Sequence, residues 1–144
     1  MSHPITTIDV SDAPAVGRCF AAFKALRPHL DPAEFLRRVS VQAEEGYRIA
    51  CIEQDGVVVA AAGYRVANFL AWGRVVYIDD LITLPGRTRA GFGGALLDWL
   101  IALARQLDCD AVHLDSGHAR HDAHRLYLNK GFRLSSHHFA LNLR

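Results

Sequence analysis

The chain has only three cysteines, five prolines and one methionine in 144 residues, and no run of about 18 consecutive apolar residues long enough to span a bilayer. Cys19, Cys51 and Cys109 are odd in number, far apart and set among apolar neighbours. This excludes a disulfide framework and predicts reduced thiols in a cytoplasmic protein. The first residues, MSHPITTIDVSD, lack a basic segment followed by an apolar one, so neither a secretory leader nor a membrane anchor is expected. Charge of one sign is missing as well. Sixteen Lys and Arg against fifteen Asp and Glu leave a formal +1, too little to draw the whole molecule to nucleic acid or an anionic membrane, so any polyanion must be bound locally. No repeat, low-complexity tract or Gly/Pro-rich linker divides the chain. With 51% hydrophobic residues it can bury one core, so a single domain over residues 1–144 is expected.

What is present alternates between strand and helix patterns. Ile5 to Val10 is a short β-branched strand; Ser11-Asp12 caps a helix carrying Val16, Cys19, Phe20, Phe23 and Leu26 at helical spacing, and Asp31-Pro32 starts a second helix that Gly46 ends. Residues 47–53 and 57–69 form a hairpin about Asp55-Gly56, and a strand follows over residues 75–84, VVYIDDLITL. A long apolar helix runs from Gly91 to Leu107, then a short strand over 111–115, a helix from about His121 to Lys130 closed by Gly131, and one or two strands in the alternating tail 132–143. The expected class is α/β, a mixed central sheet with helices on both faces. The order is strand, two helices, three strands, helix, strand, helix and one or two closing strands.

The turn between strand 75–84 and helix 91–107 carries the clearest chemistry. The first N–H groups of a helix lack internal partners, and glycines at 91, 93 and 94 would let a diphosphate approach them, with Arg87 and Arg89 alongside. The loop lacks the Gly-Lys-Ser/Thr of a P-loop, and position 96 is Leu where a dinucleotide fingerprint needs Gly. Nucleotide hydrolysis and hydride transfer therefore drop out. A flexible left-handed turn with solvated arginines is the bland alternative.

Gly91-Phe92-Gly93-Gly94-Ala95-Leu96-Leu97 resembles the acetyl-CoA loop of the Gcn5-related N-acetyltransferases (GNAT), an Arg/Gln-x-x-Gly-x-Gly/Ala run leading into a Leu-rich helix. YIDDLITL is similar to that family's fourth strand, and Ala123-x-x-Leu126-Tyr127-x-x-x-Gly131-Phe132 to its last helix and turn, in matching order over residues 75–143. The stretch RHDAHRLYLNKGF resembles in particular the aminoalkylphosphonate N-acetyltransferases, also small members. Two positions depart from the pattern: Thr88 stands where the family has Arg or Gln, and Arg120 where it often has Asn.

The resemblance implies an acetyl-CoA-dependent enzyme that moves acetyl directly to the primary amine of a small molecule. It implies that Leu81, Ile82 and Thr83 meet the pantetheine arm, that Arg89, Ala90, Gly91, Phe92, Gly93 and Gly94 hold the diphosphate, and that Tyr127 contacts the cofactor and protonates the leaving thiolate. Asp80, then Asp79, is the candidate base. As neighbours on a strand they should face opposite sides, so only one could look into the cleft, while a salt bridge to Arg65 or Arg74 is the structural alternative. Asp115, Ser116 and His118, at the end of strand 111–115, are candidate acceptor contacts. His121 and His124 at i, i+3, near His118 and His137-His138, lack the converging set a metal needs, so no metal site is expected. Tyr64, Phe69 and Trp72 of the hairpin are assigned to core packing. Two rival readings stay open, a non-catalytic acyl-CoA sensor and a protein or peptide N-terminal acetyltransferase, as does pairing of edge strands into a homodimer.

Overall fold

Five strands run in spatial order along one sheet, and the reason lies in which segments are apolar on both sides. The computed structural model describes residues 3–88 and 90–144, and these fall into two compact units, residues 1–114 and 115–144, taken in turn. In the first, β1 (Thr6–Ile8), β2 (Arg48–Gln54), β3 (Val57–Phe69), β4 (Gly73–Thr83) and β5 (Ala111–Leu114) lie side by side, antiparallel except for the parallel pair β4–β5. β2 and β3 are joined by Asp55 and Gly56, both at positive φ (52° and 76°), the geometry of a tight hairpin turn that matches strand twist.

The middles of β2 and β3 are buried at consecutive positions, as strands covered on both faces must be. One face takes α1 (Ala13–Arg18), α2 (Phe20–Leu26) and α3 (Pro32–Glu44), whose Val16, Phe23, Phe35 and Val39 pack with Ile49, Cys51 and Val58. The other takes α4 (Phe92–Gln106), which lies along β2 to β5 and buries Leu96, Leu97 and Leu100 completely. The mixed α/β class with helices on both faces is the one expected from the sequence.

The helix expected after Ser11-Asp12 is two. Cys19 breaks it: its N–H bonds the carbonyl of Val16, three residues back, a tightened turn that restarts the chain as α2. Asp12 and Asp31 cap α1 and α3 as expected, their carboxylates accepting from Ala15 N (3.3 Å) and Glu34 N (2.8 Å).

The second unit holds α5 (His121–Asn129), whose end is closed by Gly131 at φ 96°; Phe132 N–H returns to the Tyr127 carbonyl at 3.0 Å. The closing strands expected over residues 132–143 are absent. Residues 132–144 form no strand, and Leu134, Phe139, Leu141 and Leu143 are exposed. Alternation supplies only one side of a ladder, and no strand among the described residues is paired with this segment.

Gly63, midway along β3, makes the closest approach in the core. A Cβ there would fall 1.7 Å from the Tyr47 hydroxyl oxygen and 2.3 Å from the ring carbon that bears it. Tyr47 is 2% exposed and cannot retreat into solvent. Gly63→Ala is therefore expected to lower the unfolding free energy by about 1–3 kcal/mol in urea titration; a wild-type midpoint would show that this contact does not constrain the fold.

Candidate active site

The Gly63 side of the sheet is also where β4 gains a residue. Gly63 is opposite Asp80 and Tyr64 is opposite Ile78, so Asp79 has no partner across the ladder. This β-bulge breaks the alternation of the strand. Asp79 and Asp80 both line one cavity of about 360 Å³, together with Arg27, His29, Arg38 and Tyr47 among others. The expectation that only one of the two acids looks into the cleft is thus corrected: it assumed a regular period of two, which the bulge interrupts.

Each acid has its own arginine. Asp80 Oδ1 accepts from Arg27 Nε (3.0 Å) and Nη2 (2.9 Å), while its Oδ2 accepts from the Tyr47 hydroxyl at 2.7 Å. Arg65 forks onto Asp79, with Nε on Oδ1 at 3.0 Å and Nη2 on Oδ2 at 2.8 Å. The Arg65 alternative for Asp79 is therefore realised, and Asp80 pairs with Arg27, which the sequence reading did not single out. Burial pushes the Asp79 carboxyl up, against the pull of Arg65. Burial first, and then the charge of Asp80, push the Tyr47 phenol well above its ordinary range, so it stays a hydrogen-bond donor.

Beyond the bulge, Leu81, Ile82 and Thr83 pair with Ala62, Ala61 and Ala60 of β3. On the opposite edge β5 pairs only with Val75 to Ile78. Among the described residues no strand is paired with that edge from 79 to 83.

At the start of α4, Gly91 is the N-cap at φ 85° in the left-handed region, where a side chain would be strained. Among the described residues no side chain caps the first amides and no acid stands in the first turn to oppose an anion there. Gly93 and Gly94 themselves carry no Cβ beside those amides. Phe92 is buried and anchors the turn. The Ala90 carbonyl accepts from His3 Nε2 at 3.0 Å, and the His3 ring meets Phe92 edge-on with centroids 4.8 Å apart. A carbonyl can only accept, so Nε2 carries the proton. The residues present suit the diphosphate of coenzyme A. Arg89 lies outside the described residues, and Arg87 reaches Gln54 Oε1 at 3.4 Å.

The first unit thus brings together Asp79, Asp80 and Leu81 to Thr83 on one strand and holds Ala90 to Gly94 at the head of α4. Tyr127, Asp115, Ser116 and His118 belong to residues 115–144. Tyr127 is the buried residue of α5, and burial raises its phenol above the usual 10, with Arg120 pulling less strongly the other way. The Ser116 hydroxyl oxygen is buried without a hydrogen-bond partner among the described residues, while His118 is exposed. His124 Nε2 donates to the Gly117 carbonyl at 2.8 Å, and His138 Nδ1 lies 3.7 Å from Asp115 Oδ1. In the hairpin, Tyr64 is buried against Trp99, but Phe69 and Trp72 are 41% and 37% exposed. The core role expected of these two is corrected: Trp72 lies at the hairpin end, stacked on His113 at 3.8 Å.

Arg27, Tyr47, Gly63 and His3 were missed in the sequence. One signal was available, since a glycine inside a strand pattern marks a bulge or a close backbone approach. Nothing local ties Arg27 or His3 to partners 53 and 87 residues away.

With this geometry in view, comparison with known proteins gives the family. The model of the acetyltransferase (GNAT) family matches residues 17–132, and the chain belongs to that family as an N-acetyltransferase. It is 32% identical over 116 residues to an uncharacterised N-acetyltransferase, YhdJ, of Bacillus subtilis, covering 79% of this chain and 82% of that one. A 62-residue stretch, 43% of this chain and 40% of the relative, is 36% identical to the aminoalkylphosphonate N-acetyltransferase of Salmonella typhimurium. The fold is shared with the aminoglycoside N-acetyltransferase AAC(6')-Iy solved in complex with CoA, at TM-score 0.81 and 14% identity over 98% of this chain and 94% of that one. Members of the family use acetyl-CoA as acyl donor, and the chain's reaction is acetyl transfer to an amine. No helix among the described residues is long and apolar enough to cross a membrane.

The Tyr47 hydroxyl is the second anchor of Asp80, and it is a buried donor to an ion-paired carboxylate. Tyr47→Phe is expected to lower the unfolding free energy by about 1.5–3 kcal/mol by chemical denaturation. Wild-type stability would mean that the bond does not hold Asp80.

Proposed function

We propose that this chain, as one domain over residues 1–144, transfers acetyl from acetyl-CoA directly to the primary amine of a small molecule. The observation that carries the reading is the cavity of about 360 Å³ that reaches Asp80, within the stretch of β4, residues 79–83, whose outer edge has no paired strand among the described residues. A cavity of that size is at the lower end of small-molecule sites. Acetyl-CoA supplies the activated acyl group as a thioester.

The amides of Phe92, Gly93 and Gly94, with Arg89, Ala90 and Gly91, hold the diphosphate at the positive end of α4. The edge of Leu81 to Thr83 takes the pantetheine arm as an added strand, and the Leu81 N–H faces the thioester oxygen as negative charge develops there. Asp80 takes a proton from the acceptor ammonium, so that the free amine nitrogen attacks the acyl carbon; the carbon–sulfur bond breaks and Tyr127 gives its proton to the thiolate. Asp79, held by Arg65 in the same cavity, is the second candidate for that base. Asp115, Ser116 and His118 contact the acceptor. No cysteine lines the cavity, and Cys19 and Cys51 are fully buried, which supports direct transfer over a covalent acyl-enzyme.

Burial raises the Tyr127 phenol, which therefore keeps its proton through the neutral range, so loss of this acid would appear only as an alkaline limb above the ordinary range of a phenol. Tyr127→Phe is expected to lower kcat by about 10²–10⁴-fold while calorimetric CoA affinity stays at the wild-type value. An unchanged rate would remove Tyr127 from the chemistry. No heat on titrating CoA into the wild-type protein would overturn the reading as a whole.

A further inference from the structure

Both carboxylates of the cavity are already paired before any acceptor enters. Asp79 is paired with Arg65 and Asp80 with Arg27, whereas Arg38 shares the one carboxylate of Glu34 with Arg37, so positive charge is in surplus on that side. An amine bearing only a positive charge finds no uncompensated carboxylate here. If its ammonium took Asp80, Arg27 would be left beside it, cation against cation.

The two partners of the Arg27–Asp80 pair are not equally held. Asp80 has a side-chain exposure of 14% and is fixed on its second oxygen by the buried Tyr47 hydroxyl. Arg27 has a side-chain exposure of 43%, follows the last turn of α2, and its guanidinium, among the described residues, bonds the Asp79 carbonyl at 3.1 Å besides Asp80. Of the pair, the guanidinium is the side that can turn toward a guest. His29 and Arg38 line the same cavity and add donors on the side of α3 and the connection leading to it.

From this exchange we infer that the acceptor is a small amine that also carries an anionic group, a carboxylate or a phosphonate, a few bonds from its nitrogen, and that Arg27 receives that group. The inference rests on the N-acetyltransferase reading above and specifies its substrate class. The ammonium takes the place of Arg27 on Asp80 while the acid takes the guanidinium, so one ion pair becomes two and neither charge is left alone. A guanidinium presents parallel N–H donors that match either oxyanion. Arg27 is thereby a specificity-determining residue and takes no part in bond making.

The test uses the full chain with acetyl-CoA and three acceptors of similar length: 2-aminoethylphosphonate, β-alanine and propylamine. Thiol release gives kcat and KM, and calorimetry without cofactor gives binding of each acceptor. The wild-type protein is expected to favour at least one anionic amine over propylamine by about tenfold or more in kcat/KM, and to bind it directly. Which of the two it favours separates phosphonate from carboxylate. Arg27→Gln is expected to bring the preference to within about threefold, mostly through KM, and Arg27→Lys to restore part of it. Equal use of propylamine by the wild-type protein, or an undiminished preference in a folded Arg27→Gln, would overturn the inference. So would failure of all three acceptors in a protein that binds CoA. Failure to bind CoA would instead overturn the functional reading beneath it.

Discussion

Because Asp79 has no partner on β3 while Asp80 faces Gly63, two neighbouring carboxylates share one side of the strand, and the charges of the cavity are arranged around that irregularity. A regular strand would send one acid toward α4 and leave Arg27 or Arg65 without its counterion. Gly63 has a matching role. Lacking a Cβ, it admits the Tyr47 ring to the sheet surface, where the hydroxyl meets the carboxylate of the residue opposite that glycine. The bulge, the glycine and the tyrosine therefore form one constraint, and the orientation of Asp80 follows from it.

The same strand joins the two parts of the proposed site. From Val75 to Ile78 it is paired with both β3 and β5, and beyond Ile78 β3 is the one strand among the described residues that pairs with it. That change of pairing separates a half paired on both sides from a half paired on one, where the carboxylates stand. At the chain's next turn the head of α4 offers uncapped amides, and the His3 imidazole pins the carbonyl just before them. In the proposed reaction the donor side is thus built from backbone and glycine, and the acceptor side from ion-paired side chains.

Much of this was legible in the sequence because it is local. Asp55-Gly56 specified the hairpin, Asp12 and Asp31 the helix starts, and the Leu-rich period of residues 96–107 the helix behind the glycine turn. The glycines of that turn and the paired acids of YIDDLITL were visible for the same reason. The facing of Asp79 and Asp80 was not, since it depends on a register shift that only the ladder with β3 reveals. Nor were Arg27 and Tyr47, whose link to Asp80 closes loops of 53 and 33 residues. The tail misled for a related reason: Phe139, Leu141 and Leu143 alternate as a strand does, yet a strand exists only where a second one accepts its hydrogen bonds.

The central claim is that the head of α4 and the unpaired edge of β4 receive one coenzyme A molecule between them. A crystal structure of the full chain grown with CoA measures this directly. Diphosphate oxygens are expected within hydrogen-bond distance of the amides of residues 92–94, with the pantetheine arm paired along Leu81 to Thr83. Coenzyme A bound elsewhere, or seated on α4 with its arm directed away from β4, would contradict it.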